Sequence, residues 1–213
     1  MTANGLTIAV PRGALFTETL DLLDILGIPT SEIRENDRRL IFPVLGVITT
    51  RPSDVPTYVE HGAADIGITG KDVLLEQADR EVYELLDLRY GYCRMIVAAR
   101  DGDDPLGEPL RRRGSVRVAT KYPVIAKDYF ARTGRQAEIV EVKGSVEIGP
   151  LTGLVDAIVD LTASGRTLAE NHLVEHEQIV ECTARLIANP VSHKLKAAAV
   201  DSFVQKMREA VAR

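Results

Sequence analysis

The chain has 213 residues, a length that suits one large domain or two small lobes, and 45% of them are hydrophobic, enough to bury a core. Tryptophan is absent and aromatics make up only 5%, so that core must be aliphatic. The net charge of −5 argues against non-specific nucleic-acid binding, yet leaves room for a basic site around a phosphorylated small molecule.

Short apolar strands alternate with amphipathic helices, the pattern of an α/β protein. The opening "MTANGLTIAVPRG" lacks the basic and apolar regions of a signal peptide, and no segment approaches the length of a membrane span. A soluble, cytoplasmic protein with no membrane partner is expected. "LTIAV" (6–10) reads as the first strand. It runs through Pro11-Arg12-Gly13 into a helix on which Leu15, Phe16, Leu20, Leu23 and Leu26 share a face and which Gly27 ends. Residues 38–50 read as strand, bend, strand. Residues 52–62 read as a helix, with Ser53 as its cap, Pro56 in its first turn and Gly62 as its stop.

"ADIGIT" (64–69) is a strand that leads into the helix "GKDVLLEQ", and "YCRMIVAAR" (92–100) is a longer strand followed by the loop "DGDDPLGEP". Strand, helix and strand come next in "SVRVAT", "PVIAKDYFARTG" and "EIVEV". A turn-rich connection, "GSVEIGPLTG", leads to the strand "VDAIVDL". After it "AENHLV" can open a helix, "QIVECTARLIA" (178–188) reads as one late strand, and "HKLKAAAVDSFVQKMREAVA" as a final helix. A composition break near "LLDLRYGYCRM" divides the chain into a first lobe at 1–90 and a second at 91–171. Residues 172–213 return to the first lobe, so the chain crosses a hinge twice and a cleft between the lobes is the expected ligand site.

The stretch "DLTASGRTL" (160–168) carries the densest chemistry. A strand ending in Asp160 puts a carboxylate at the carboxyl edge of a sheet, where open α/β folds bind ligands. Thr162, Ser164 and Thr167 offer hydroxyls, Gly165 lets backbone N–H groups approach an anion, and Arg166 offers a counter-charge. A helix starting near Thr167 would add partial positive charge. This set can hold a phosphate monoester while Asp160 accepts from vicinal ribose hydroxyls. A plain strand-to-helix turn capped by Ser164 or Thr167 is equally open. The spacing is that of neither a Walker loop nor a dinucleotide fingerprint.

Arg12 and Gly13 also stand between a strand and a helix, where an anion is favoured, though a solvent-facing arginine is the plainer alternative. Arg38, Arg39 and Arg51 flank short strands and could fork onto phosphate, or pair with Glu32, Glu35 and Asp37. At Gly70-Lys71-Asp72, Asp72 can cap a helix while Lys71 faces solvent. His61, His172, His176 and His193 form no zinc pattern, "RRRG" (111–114) reads as an exposed turn, and no G-x-S-x-G elbow occurs. Cys93 and Cys182 each sit inside an apolar run and read as buried thiols, with a disulfide or a reactive thiol as lesser alternatives.

Together these stretches resemble the ATP phosphoribosyltransferase family. In "EIGPLTGLVDAIVDLTASGRTL", Glu147, Gly153, Ile158, Asp160, Leu161, Ser164, Gly165, Thr167 and Leu168 fall on its spaced pattern. "RPSDVPTYVEHGAADIGITGKDVLLE" and "GSVEIGPL" are further matches, so the resemblance spans nearly the whole chain. Val155 departs from it, a small residue being usual there, which predicts a packing adjustment. Where the family often has Pro-Lys-Gly-Arg, this chain has Pro11-Arg12-Gly13-Ala14: Arg12 keeps the charge and Ala14 removes a guanidinium.

The resemblance implies a two-lobed fold like the type II periplasmic binding proteins. It implies transfer of a phosphoribosyl group from phosphoribosyl pyrophosphate (PRPP) to N1 of ATP, with release of pyrophosphate, as the first step of histidine biosynthesis. Mg²⁺ held mainly by pyrophosphate would assist, with no dedicated protein ligands. PRPP then falls to Asp160, Leu161, Thr162, Ala163, Ser164, Gly165, Arg166 and Thr167, and ATP to Arg12, Gly13, Arg38, Arg51 and Lys71. Asp160, Arg12 and Arg51 carry the catalytic charge. The chain looks like the short form, which works as a homodimer with a regulatory subunit similar to histidyl-tRNA synthetase. A non-catalytic two-lobed binding protein is the competing reading.

Overall fold

The structure, a computed structural model, describes residues 5–36, 38–102 and 104–212. Asp37, one of the acids expected to pair with the arginines, and Asp103 of the expected loop lie outside the described residues. The chain forms two compact units. One takes the chain to Gly91 and again from Thr183, and the other is Tyr92–Cys182.

The first unit opens with strand β1 (Ile8–Pro11) and helix α1 (Phe16–Ile25). Leu15, Leu20 and Leu23 of the expected apolar face are buried, and Phe16 and Leu26 pack partly against them. Gly27 ends the helix at φ +81°, where a side chain would be strained. Helix α2 (Ser31–Arg34) and strands β2 (Ile41–Phe42) and β3 (Val47–Thr50) follow. The next segment begins as a 3₁₀ turn, Pro52–Asp54, before helix α3 (Val55–Glu60). Ser53 does not cap it: its hydroxyl donates to Asp54 Oδ1 at 3.2 Å.

Strand β4 (Ile66–Gly70) lies directly under α3. That approach requires Gly67, since a Cβ there would meet Val55 Cγ1 and Val59 Cγ2 at 2.7 Å. Helix α4 (Lys71–Glu76) and strand β5 (Tyr83–Asp87) complete this part. The sequence pattern did not show β5, because "YELLD" is a partly exposed edge strand with two acids and no apolar alternation.

The second unit holds strand β6 (Cys93–Arg100), helix α5 (Gly107–Arg113), strand β7 (Val116–Thr120), helix α6 (Pro123–Arg132) and strand β8 (Ala137–Glu141). Helix α7 (Ile148–Leu151), strand β9 (Ala157–Thr162), helix α8 (Arg166–Glu170) and strand β10 (Leu173–Cys182) follow. Its sheet runs β10-β6-β9-β7-β8, with β7 parallel to both neighbours and β6 antiparallel to both of its own. The expected loop and the "RRRG" turn instead contain α5. Asp104 accepts from Gly107 N at 3.0 Å at its start, and Arg111–Arg113 sit in its last turn, where cations suit the carbonyl end.

The expected return to the first lobe at residue 172 is corrected by β10. Residues 173–182 pair with β6, from Leu173↔Arg100 to Cys182↔Cys93, and the return falls at Thr183. "QIVECTARLIA" is therefore not one strand. Its apolar run is continuous, but Thr183 divides it between two sheets. Strand β11 (Ala184–Ala188) inserts antiparallel between β4 and β5, giving the order β2-β3-β1-β4-β11-β5. The final helix is also two, α9 (Pro190–Leu195), capped by Asn189 accepting from Ser192 N at 2.8 Å, and α10 (Ala197–Val211). Leu20 and Leu23 of α1 and Val200, Phe203 and Met207 of α10 bury one face of the sheet, while Val55 and Val59 cover Ala9 and Ile187 on the other. No helix of the described residues is long and apolar enough to cross a membrane.

Candidate active site

The second unit brings the 160–167 stretch to an open sheet edge. β7 pairs with β9 only as far as Thr120↔Val159, whereas β6 follows β9 on to Arg94↔Thr162. Beyond Val159 the β7 side of β9 has no partner strand, and the chain after β7 turns away into α6. A cavity of about 390 Å³ opens there. Lys121, Tyr122 and Glu147 line it together with residues 160–168. Asp160 lies within β9 and not at its end, two residues short of Thr162. Strand alternation puts it on the face of Ile158, whose side chain is in the core of this unit.

Asp160 is 7% exposed. Its Oδ1 accepts from Leu161 N at 2.9 Å, and Lys121 Nζ lies 3.3 Å from Oδ2. Burial pushes its carboxyl above the ordinary range. The Lys121 ammonium and the Leu161 N–H oppose that shift, and the nearby Glu147 charge adds to it. A carboxylate so placed keeps unused acceptor capacity toward the cavity, which suits sugar hydroxyls.

The loop beyond it is built by its own hydroxyls. Thr162 is buried, and its Oγ1 accepts from Gly165 N at 3.0 Å, closing the turn. Ser164 Oγ accepts from Arg166 N at 3.4 Å. Gly165 takes φ +73°, a left-handed conformation that lets the chain reverse into α8. The helix starts at Arg166, not near Thr167, and no side chain caps it. With only five residues it has little macrodipole. An anion here depends on the backbone N–H groups of the turn and on the Arg166 and Lys121 cations. Leu161 is half-buried, and Ala163, Ser164, Arg166 and Thr167 are exposed along the cavity.

The first unit gathers part of the second residue set. Arg12 and Arg51 line one cavity of about 560 Å³ with Leu40, Ile41, Ile48 and Tyr58. Arg12 is fixed there: Nε donates to Thr49 Oγ1 at 3.0 Å, and one terminal nitrogen donates to the Arg39 carbonyl at 2.8 Å. Its guanidinium also lies 5.6 Å from the centre of the Phe16 ring. Gly13 follows Arg12 in the turn, its carbonyl accepting from Phe16 N at 3.0 Å. Arg51 is exposed at the end of β3. Arg38 is exposed and outside this cavity, Arg39 pairs with Glu32, and Lys71 holds Glu84 at 2.6 Å.

Sequence reasoning missed Lys121 and Tyr122. Their signal was available in "VATKYP", where a strand ending at Thr120 is followed directly by Lys121 and the helix-opening Tyr122-Pro123. What the sequence could not show is that β7 lies beside β9 in parallel, so that both carboxyl ends meet.

The profile of the family described as HisG, ATP phosphoribosyltransferase, matches residues 51–209, well over half of the chain. The chain belongs to the ATP phosphoribosyltransferase family. An ATP phosphoribosyltransferase of Rubrobacter xylanophilus is 51% identical over 199 residues, covering 92% of both chains. One from Geobacillus sp. (strain WCH70) is 47% identical over 212 residues, covering 97% of this chain and 98% of its own.

Among solved structures, a chain of the ATP phosphoribosyl transferase (HisG:HisZ) complex from Thermotoga maritima superposes with a TM-score of 0.80 at 33% identity, covering 97% of this chain and 98% of that one. The periplasmic aliphatic sulphonate binding protein SsuA from Escherichia coli reaches 0.63 at 11% identity, covering 97% of this chain and 72% of that one. At that identity it shares the fold alone. The architecture is the two-lobed type II periplasmic-binding-protein-like fold. As an ATP phosphoribosyltransferase, a pentosyltransferase, the chain joins ATP to PRPP in the first step of histidine biosynthesis, and the non-catalytic alternative falls.

Proposed function

We propose that the cavity at β9 is the PRPP site of this ATP phosphoribosyltransferase. The loop 161–167 presents its Ser164 and Thr167 hydroxyls and its backbone N–H groups to the 5-phosphate, and Asp160 accepts from the ribose hydroxyls. The observation that carries this reading is Asp160, buried at the open edge of the sheet beside an anion-receiving turn and the Lys121 ammonium. Thr162 closes the turn, so it positions the loop and does not itself grip phosphate. Ser164, Thr167 and the turn's N–H groups make the direct contacts, with Arg166 as counter-charge. Arg12 and Arg51 meet the ATP triphosphate, and Leu40, Ile41 and Tyr58 give the adenine an apolar wall. Lys71 and Arg38 stand outside that cavity and contribute at most long-range charge.

The ribose carbon gains oxocarbenium character as pyrophosphate leaves. An ionised Asp160 on the ribose hydroxyls favours that charge and fixes the sugar for attack by adenine N1. Adenine N1 is already a lone-pair nucleophile, so no side chain is needed as a base. The reaction uses a divalent metal, which we take to be Mg²⁺. When bound, it neutralises charge on the pyrophosphate oxygens. The described residues hold no group of three or more His, Cys, Asp or Glu side chains, and near the loop the acids are Asp160 and Glu147. That donor set fits an ion carried mainly by substrate oxygens and water. A cytoplasmic location follows from the substrates.

The Thermotoga maritima HisG:HisZ complex supports pairing with a regulatory subunit of the HisZ kind. In the proposed assembly this subunit resembles histidyl-tRNA synthetase and this chain pairs with itself. The test is to mix the chain with ATP, PRPP and Mg²⁺, with and without that subunit, and to follow the absorbance of phosphoribosyl-ATP. Growth that needs both substrates and stops on chelation of the metal is expected. No product under either condition would overturn the reading.

A further inference from the structure

Cys93 is the first residue of β6 and Cys182 the last of β10, and the antiparallel register sets them directly opposite each other. The register is unbroken from Val180↔Met95 through Glu181↔Arg94 to this pair, so the bulges elsewhere in β10 do not displace it. Directly opposed residues of antiparallel strands put their side chains on one face. Their Cα atoms lie about 4.5 or about 5.5 Å apart, and a disulfide spans either distance. Cys182 is buried at 1% exposure, and Cys93 is partly open to solvent. Neighbouring side chains pin the same two strands together: Tyr92 donates to Glu181 at 3.0 Å, and Arg94 to Glu175 at 2.7 Å.

The pair has a particular place in the chain. The second unit starts at Tyr92 and ends at Cys182, so the two thiols sit at its first and last turns of chain. We propose that Cys93 and Cys182 form a reversible disulfide on exposure to a small-molecule disulfide, stapling the ends of the second unit. The accessible Cys93 thiolate attacks one sulfur of the small disulfide, forming a mixed disulfide and expelling one thiolate. The Cys182 thiolate then attacks the Cys93 sulfur, and the second thiolate leaves. The protein loses two thiol hydrogens, and one small disulfide is reduced to two thiols. Almost the whole unit lies inside the loop so closed, which is where a cross-link constrains the unfolded chain most.

The experiment treats the full chain with oxidised glutathione, blocks remaining thiols in denaturant, and measures intact mass and proteolytic peptides before and after dithiothreitol. The expected result is a species with both thiols lost together, a peptide linking Cys93 to Cys182, reversal by dithiothreitol, and a Tm higher by roughly 5–10 °C. Cys93→Ser should show no intramolecular bond. A persistent glutathione adduct on one cysteine, two unmodified thiols, or a linked species whose Tm is unchanged or lower would each overturn the proposal. The wild-type peptide map stands as the test even where the variant does not fold.

Discussion

Asp160 is almost fully buried beside one N–H and one ammonium, and burial still pushes its carboxyl above the ordinary range. A carboxyl raised in the folded state contributes stability that is full below its unfolded pKa and is lost as pH rises through the folded one. At neutral pH its charge therefore works against folding, a cost that the proposed ribose contact would account for. Lys121 is the group that makes the charge tolerable. In Lys121→Met the carboxyl rises further, so the acid limb of kcat/KM for PRPP should move to higher pH and its value at neutral pH should fall about tenfold or more. A pH profile taken with ATP saturating checks this. A uniform drop with an unmoved limb would make Lys121 an ordinary phosphate contact.

At the scale of elements, the packing of Val155 matches the adjustment expected there from the resemblance. Val155 is 3% exposed in the core of the second unit, ahead of β9, and Gly149 of α7 makes room for it. A Cβ at 149 would meet Val155 Cγ2 at 2.7 Å and Ala119 Cβ at 3.3 Å. Gly149→Ala should therefore destabilise the protein by about 1–3 kcal/mol despite its helix position. Adding Val155→Ala should recover part of that loss in a double-mutant cycle of chemical denaturation, because it removes the clash.

The same scale shows what the sequence could and could not reveal. Strands with buried, β-branched cores such as β1, β4, β7 and β9 were legible, as was the turn after β9. Edge strand β5 was not, nor was the split of 178–188 between two sheets, because local pattern carries no information on which sheet a strand joins. Of the basic residues expected to meet ATP, Arg12 and Arg51 meet in one cavity. Arg38 and Lys71 do not, since a charge beside a strand end says nothing about where its side chain is paired.

Over the whole molecule, the first unit is tied from start to finish by Asp65. Its carboxylate accepts from Thr7 N at 2.8 Å and from Lys196 Nζ at 2.8 Å, joining the approaches to β1 and β4 to the start of α10. Burial raises its pKa, but the hydrogen bonds from Lys196, Ser192 and Thr7 outweigh it, and the carboxyl titrates below its ordinary range. Stability from a lowered carboxyl is present above the unfolded pKa and is lost as pH falls through the folded one. Lys196→Met should cost about 1 kcal/mol at neutral pH, allowing for the lysine's partial exposure. That is a Tm lower by roughly 2–4 °C, and the gap to wild type should close at acid pH. A gap independent of pH would assign the loss to packing.

Under the proposed function, PRPP and ATP bind to two separate residue sets. Isothermal titration of PRPP and of ATP, each with Mg²⁺, into wild type, Asp160→Ala and Arg51→Ala tests this division directly. Asp160→Ala should keep its fold by circular dichroism and its ATP affinity, while binding PRPP at least about tenfold more weakly. Arg51→Ala should weaken ATP and spare PRPP. Unchanged PRPP affinity in a folded Asp160→Ala protein would contradict the central claim.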